Sequence, residues 1–270
     1  MSIDIIFRPN KLQFDDFQRI DEQCFPNESI GVSTFNKNLT GNFWGAFFEQ
    51  ELVGYSYITL KPNLAWISRI GISPDFRNRG IGSMLMEKMV EFCHDVHREK
   101  AILYVRQDNP IAVRFYEKHG FMSKESSYQY VVPINDFFKQ RRSMSRSGLI
   151  ATPITELSKC LVPEFPPQWA NIEELHDPPN MYVLVFYTND GSLIGYSRLD
   201  PNFPGCFPFV VDKPVIYFTK VLIYLKKYLL PEKSILKLTF ENDELADVCS
   251  KLHFTLNYRL IRMEKNISNS

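Results

Sequence analysis

Pro74-Asp75-Phe76-Arg77-Asn78-Arg79-Gly80-Ile81-Gly82-Ser83 joins an apolar strand pattern over 66–73 to an amphipathic helix pattern over 82–98. A chain that turns from strand into helix leaves the first helical N–H groups unpaired, with the partial positive charge of the helix dipole behind them. Such an end suits a phosphate. Gly80 and Gly82 lack Cβ and let the backbone approach an anion, and Arg77 and Arg79 add charge. There is no G-x-G-x-x-G and no Gly-Lys-Ser/Thr, so neither nucleotide pattern fits better. A tight strand-to-helix turn is the bland alternative.

Outward from this loop, periodicity predicts a strand over 3–8, a helix over 14–24, a strand pair over 43–49 and 52–60, and the strand 66–73. The helix 82–98 would turn Met86, Met89, Val90 and Cys93 or Val96 inward. A strand over 101–106, a helix over 110–118 stopped by Gly120, and a strand over 127–132 complete the series. Residues 27–42 read as a loop. The order specifies an α/β (α+β) class, with a mixed sheet flanked by helices.

The plan then repeats. Ile5-Ile6-Phe7-Arg8-Pro9 is echoed by Leu149-Ile150-Ala151-Thr152-Pro153, and Val53-Gly54-Tyr55-Ser56 by Ile194-Gly195-Tyr196-Ser197. Asn109 precedes Phe121 by twelve residues, as Asn242 precedes Phe254. The offsets run 144, 141 and 133, so the second copy has lost about eight residues in the interval that holds the glycine loop. The expected domains are 1–133 and 148–266, joined by 134–147, a segment with Lys139, Arg141, Arg142 and Arg146 that reads as a solvated connecting helix.

Lys plus Arg and Asp plus Glu each number 31, which gives no electrostatic reason to expect nucleic acid or a membrane surface as partner. The five cysteines (Cys24, Cys93, Cys160, Cys206, Cys249) are scattered without a C-x-x-C and read as free thiols of a reducing, cytoplasmic setting. His94 and His97 could share a helix face, but no ligand set completes them, so no metal is expected. Asp4 and Arg8 interrupt any export signal, and no apolar run is long enough to span a bilayer.

Two motifs carry a family resemblance. Arg77-Asn-Arg-Gly80-Ile-Gly82 resembles the R/Q-x-x-G-x-G/A motif of the GCN5-related (GNAT) acetyltransferases. Asn109-Pro-Ile-Ala112-Val-Arg-Phe115-Tyr116-Glu-Lys-His-Gly120-Phe121 is similar to that family's N-x-x-A-x-x-F/L-Y-x-x-x-G-F. The resemblance is direct over about 3–132 and reaches the second half through the repeat, so the chain looks like a tandem GNAT protein. It implies two GNAT-like domains, each a mixed, mostly antiparallel twisted sheet flanked by helices. It further implies direct acetyl transfer from acetyl-CoA to an amine, on a protein, a peptide or a small molecule.

Residue by residue, the resemblance places the acetyl and pantetheine portion on the backbone of Ile70, Gly71 and Ile72. The pyrophosphate falls on the amides of Asn78, Arg79, Gly80, Ile81, Gly82 and Ser83, with Arg77 at the motif's first position. Asn109 would contact the cofactor arm, although a helix cap explains it equally well. Tyr116 would protonate the departing thiolate, with a core tyrosine as the alternative.

The sequence departs from the family in two places. Many members carry a Glu on the strand before the loop, where this chain has Trp66-Ile-Ser-Arg69-Ile. Ribosomal-protein alanine acetyltransferases, which this half also looks like, carry one on the following strand, and the aligned residue is Tyr104. A base is therefore open among Tyr104, a water chain, Glu49 and Glu51. The second half lacks R-x-x-G-x-G and places Asp212 where phosphate would sit. Cys249 stands at the Tyr116 position and His253 at the Gly120 position; a catalytic Cys249–His253 pair is disfavoured against an inert core cysteine. An acetyl-CoA sensor, or an adaptor docking through 141–146, is the non-catalytic alternative.

Overall fold

The computed structural model describes residues 3–9, 12–26, 28–61, 64–139, 149–153, 182–201 and 205–267, with the backbone alone in 149–153. Cys160 and the arginines of 141–146 lie outside them. The chain forms two compact units: Met1–Val105, Asn109–Lys124 and Arg262–Ser270 make the first, and Arg106–Asp108 and Glu125–Ile261 the second.

In the first unit the sheet runs β1 (Ile3–Phe7), β2 (Asn42–Phe48), β3 (Glu51–Leu60), β4 (Leu64–Ile72), β5 (Lys100–Arg106), then the end of β12 (Thr255–Asn266). Neighbours from β1 to β4 are antiparallel, while β4 and β5 are parallel. β3 is buried on both faces from Leu52 to Ile58, which explains its unbroken apolar run. One face takes α1 (Phe14–Cys24) and α2 (Val32–Leu39) over an aromatic core in which the Phe17 ring lies 4.8 Å from Phe35 and 4.6 Å from Tyr55. α3 (Ile81–Asp95) turns Ile81, Leu85, Met86, Met89 and Cys93 inward, whereas Val90 and Val96 are only partly covered.

Helix α2 corrects the expected loop. Its Ser, Thr and Asn residues are modest helix formers and eight residues are marginal alone. The burial of Phe35 against Phe17 supplies what local propensity does not.

The second unit runs β6 (Met122–Pro133), β11 (Ile235–Phe240), β10 (Gly205–Val211), β9 (Leu193–Asp200), β8 (Tyr182–Thr188), β7 (Leu149–Pro153). It carries α5 (Ile134–Lys139), α6 (Pro214–Leu225) and α7 (Asp243–Lys251). Its core gathers Leu184, Phe186, Phe209, Phe218, Leu238 and Phe240.

The repeat holds bond by bond. Gly54 stands opposite Ile72 as Gly195 stands opposite Val211. Ser73 N donates to Val53 O at 2.9 Å, and Asp212 N to Ile194 O at 2.7 Å. Asn109 caps α4 (Pro110–Lys118) by accepting from Ala112 N, and Asn242 caps α7 by accepting from Leu245 N. Both nine-residue helices end on a left-handed residue, Gly120 at φ 81° and His253 at φ 57°.

The compact units are not the two sequence copies. From Glu125 onward β6 belongs with the second unit, where Tyr128–Pro133 pairs with Ile235–Phe240, and Arg262–Ser270 belongs with the first. Each copy gives its last strand to the other's unit. Composition marks a boundary at the basic, serine-containing segment, but strand pairing is non-local and ignores it.

A fully buried carboxylate ties the first unit together. Asp21 binds Arg69 at 2.7 Å, Ile30 N at 2.8 Å and the Tyr55 hydroxyl. Burial, then the Asp21 charge, pushes the Tyr55 phenol well above its usual range, so it stays a donor. Arg69 also donates to Glu28 O at 2.8 Å and lies over the Phe25 ring. This links the segment between α1 and α2 to β4. Asp21→Asn leaves a buried guanidinium uncompensated and is expected to destabilise the protein by about 3–5 kcal/mol; an unchanged urea midpoint would contradict that.

Candidate active site

The loop after β4 folds as the sequence suggests. Pro74–Phe76 forms a 3₁₀ turn, Asn78 has φ 60° and Gly80 has φ 80° as the residue preceding α3. Asparagine tolerates the left-handed region and glycine enters it freely. A Cβ at Gly80 would meet nothing within 4 Å, so the backbone there faces open space. The first intrahelical bond is Met84 N to Gly80 O at 3.0 Å, which leaves the amides of Ile81, Gly82 and Ser83 at the helix start.

The arginines are placed less directly. Arg77 folds back, with Nε donating to Ile72 O at 3.1 Å and its terminal nitrogen 3.6 Å from Cys24 Sγ. Arg79 lies over the Phe76 ring at 4.9 Å. Arg77 therefore fastens the loop to the end of β4.

β4 and β5 part beside this loop. Their parallel ladder pairs Leu64–Trp66 with Lys100–Ile102; β4 then continues to Ile72 and β5 to Arg106 without further pairs among the described residues. Ile70, Gly71 and Ile72 lie on the parted stretch. The Ile72 carbonyl is taken by Arg77 and Cys24, and a Cβ at Gly71 would sit 2.8 Å from the Tyr55 ring, so that glycine is required by packing. Ser68 is the extra residue of a bulge: Tyr57 faces Arg69 and Ile58 faces Ile67.

The two motifs, far apart in sequence, meet at Gly82. A Cβ there would lie 3.4 Å from the Phe115 ring of α4, so the glycine lets α4 close on the first turn of α3. Tyr116, the next residue, is partly buried beside Phe115 and Phe121. Burial pushes its phenol up to about 12. Asn109 spends its side-chain oxygen on Ala112 N at 3.1 Å, so the cap reading holds and the amide nitrogen is what remains for a ligand. Tyr104 is partly buried on β5, its ring edge-on to Trp66 with centroids 6.0 Å apart.

Of the other candidate bases, Glu51 is ion-paired to Arg19 at 2.9 Å, and Glu49 sits in the β2–β3 turn at φ 49°. Two carboxylates escaped the sequence reading. Asp21 had a signal, a charge on the apolar stripe of Phe17, Ile20 and Cys24; Glu264 had none.

In the second unit only Asp212 and Lys213 separate β10 from α6, where eight residues separate β4 from α3. α6 starts with Pro214, which has no N–H, followed by exposed Val215 and Ile216. Cys249 is buried and its thiol pushed up to about 12, which keeps it an inert core residue. Among the described residues no group of His, Cys, Asp and Glu could hold a metal, and no helix is long and apolar enough to cross a membrane.

Residues 10–121 match the model of the Acetyltransferase (GNAT) family. The chain is 33% identical over 92 residues to the L-amino acid N-acetyltransferase AaaT of Escherichia coli K12, covering 32% of this chain and 57% of that protein. It is 37% identical over 82 residues to a mycothiol acetyltransferase of Corynebacterium glutamicum, covering 30% and 28%. An uncharacterized N-acetyltransferase of Archaeoglobus fulgidus shares 34% over 99 residues, covering 37% and 56%. The chain thus spans between about a quarter and three fifths of these relatives' lengths. Over its whole length it has the fold of a tandem GNAT protein from the clavulanic acid biosynthesis pathway, with TM-score 0.65, 14% identity and complete coverage of both chains. A GCN5-related N-acetyltransferase from Sphaerobacter thermophilus shares the fold at TM-score 0.62 and 12% identity, over 98% and 96% of the two chains.

Proposed function

We propose that this protein transfers an acetyl group from acetyl-CoA directly to an amine, using the first unit alone. The observation that carries this reading is the start of α3, where the first intrahelical bond from Met84 N leaves three amides ahead of it, after the parted strands β4 and β5. The residues fit the co-substrate: amides and a helix dipole suit its diphosphate, and the slot between the strands suits an extended, amide-bearing arm. Acetyl-CoA, when bound, supplies an activated acyl thioester. Ile81, Gly82 and Ser83 bind the diphosphate, the β4 edge at Ile70 orients the arm, and Tyr116 donates a hydrogen bond to the leaving sulfur. The relatives' names point to an L-amino acid in one case and to mycothiol in another, so the likeness leaves the acceptor open. An α-amine, with pKa near 7.7–8, needs less help from a base than a lysine near 10.4. Tyr104 on β5, edge-on to Trp66, would take that proton through water.

One acetyl-CoA is expected per chain. Calorimetric titration should give a stoichiometry near one, and Gly82→Glu should weaken binding more than about tenfold, or 1.4 kcal/mol. The variant's circular dichroism must match the parent, because its Cβ meets Phe115. A second equivalent of similar affinity, or undiminished affinity in a folded variant, would refute the assignment.

A further inference from the structure

Lys265 of the last strand reaches the C-terminal end of α4, the helix that carries Tyr116. Met263, two residues earlier on β12, is buried, and Lys265 leaves the strand on the same face. Ile267 N donates to Glu99 O at 2.8 Å, which fixes this end of β12 beside β5. Lys265 Nζ donates to His119 O at 2.7 Å, and a Cβ at Gly120 would lie 3.1 Å from the same nitrogen. The ammonium group thus passes directly over the turn that ends α4.

That turn is bonded to Tyr116 through the backbone. Tyr116 O accepts from His119 N at 3.0 Å and from Phe121 N at 3.1 Å, and Glu117 O accepts from Gly120 N at 2.9 Å. The His119 ring folds back, with Nδ1 2.8 Å from Phe115 O; a carbonyl only accepts, so Nδ1 carries the proton. The last carbonyls of a helix bear the negative end of its dipole, where an ammonium group is favourable. The second unit has no counterpart to this lysine. Val132 stands eleven residues after Phe121, as Lys265 stands eleven after Phe254, and it is buried and apolar. The helix end near Val132's unit carries Cys249 in place of the tyrosine. The lysine therefore accompanies the tyrosine and is replaced where the tyrosine is lost.

On the acetyltransferase reading above, we propose that Lys265 is a positioning residue for Tyr116: by holding the turn at His119–Phe121 it sets where the phenol stands when the thioester binds. The last strand of the second sequence copy thereby takes part in the chemistry of the first unit.

The test is a double-mutant cycle in kcat on the full chain. Lys265→Met keeps the length of the side chain and removes its charge and donors. It should lower kcat about three- to tenfold while acetyl-CoA affinity stays within about twofold. Adding Lys265→Met to Tyr116→Phe should cost nothing further, because a residue acting only through the phenol has nothing left to position. A merely structural lysine would lower kcat by the same factor in both backgrounds. Tyrosine labelled with carbon-13 at Cζ gives a readout without turnover. The resonance missing from Tyr116→Phe should shift in Lys265→Met, and those of Tyr55 and Tyr57 should stay. Lys265→Gln, with a donor on a shorter arm, takes its place if the methionine variant does not match the parent's circular dichroism. Penalties that multiply, or a Tyr116 resonance that does not move, overturn the proposal. Parental kcat in Tyr116→Phe alone removes the phenol from the mechanism and the role of Lys265 with it. Where the parent acetylates no acceptor, the activity reading falls, and the Tyr116 resonance by itself upholds or overturns the positioning.

Discussion

A chain ended at Ile261 is expected to lose the cooperative fold of its first unit, and with it any affinity for acetyl-CoA. Residues Arg262–Ser270 belong to that unit although they close the second sequence copy. Met263 and Ile267 are buried there, and full burial of such side chains contributes about 1.5–3 kcal/mol each. Losing both removes about 3–6 kcal/mol from a total that is typically about 5–15 kcal/mol. The truncation also deprives Lys100 of Glu264 and exposes the β5 edge, including the bond from Ile267 N to Glu99 O. Thermal unfolding followed by circular dichroism should show the first transition lost or lowered by more than about 10 °C. A chain ended at Ile267 keeps every one of these contacts and is the control. If the Ile261 truncation melts with the control, the unit assignment is wrong.

Tyr116→Phe is expected to lower kcat about ten- to a hundredfold while leaving acetyl-CoA affinity nearly unchanged, because the lost bond matters only as the sulfur gains charge. Burial holds the phenol near 12, whereas the thiol of a leaving CoA sits near 8.5. Complete proton transfer would be uphill by about 3.5 units, so on the proposed mechanism Tyr116 would donate a hydrogen bond to the developing thiolate and keep its own proton. The sign of the pH dependence follows. A donor whose pKa is raised in the folded protein stays intact across neutral pH and is lost only as pH approaches 12. Any limb of the rate profile below about pH 11 must arise elsewhere and persist in the variant. Stability linked to this phenol is fully present below about pH 10 and declines between there and 12, a decline that Tyr116→Phe removes. Unchanged turnover in an assay limited by chemistry would exclude Tyr116 from the mechanism.

The glycine loop, the Asn-capped helix and the repeat were readable in the sequence because each rests on local chemistry. Gly80 needs its left-handed φ, Asn109 caps the helix three residues before its partner amide, and both copies keep the same helix length. The shortened connector at Asp212 and Lys213 was visible for the same reason, since a deletion shifts the register of every later match. Helix α2 was not visible, because its stability comes from Phe35 packing on Phe17 and not from its own residues.

The sequence alone determined the class of fold and the glycine loop before α3, which depend on neighbouring residues and on backbone geometry within a few positions. Only the tertiary structure decided which strand completes which unit, that Gly82 admits Phe115, that Asp21 anchors Arg69, and that Glu264 pairs with Lys100. Strand pairing brings together residues more than 150 positions apart, such as Glu99 and Ile267. Backbone hydrogen bonds carry no label of side-chain identity, so no local pattern in either segment announces that pairing.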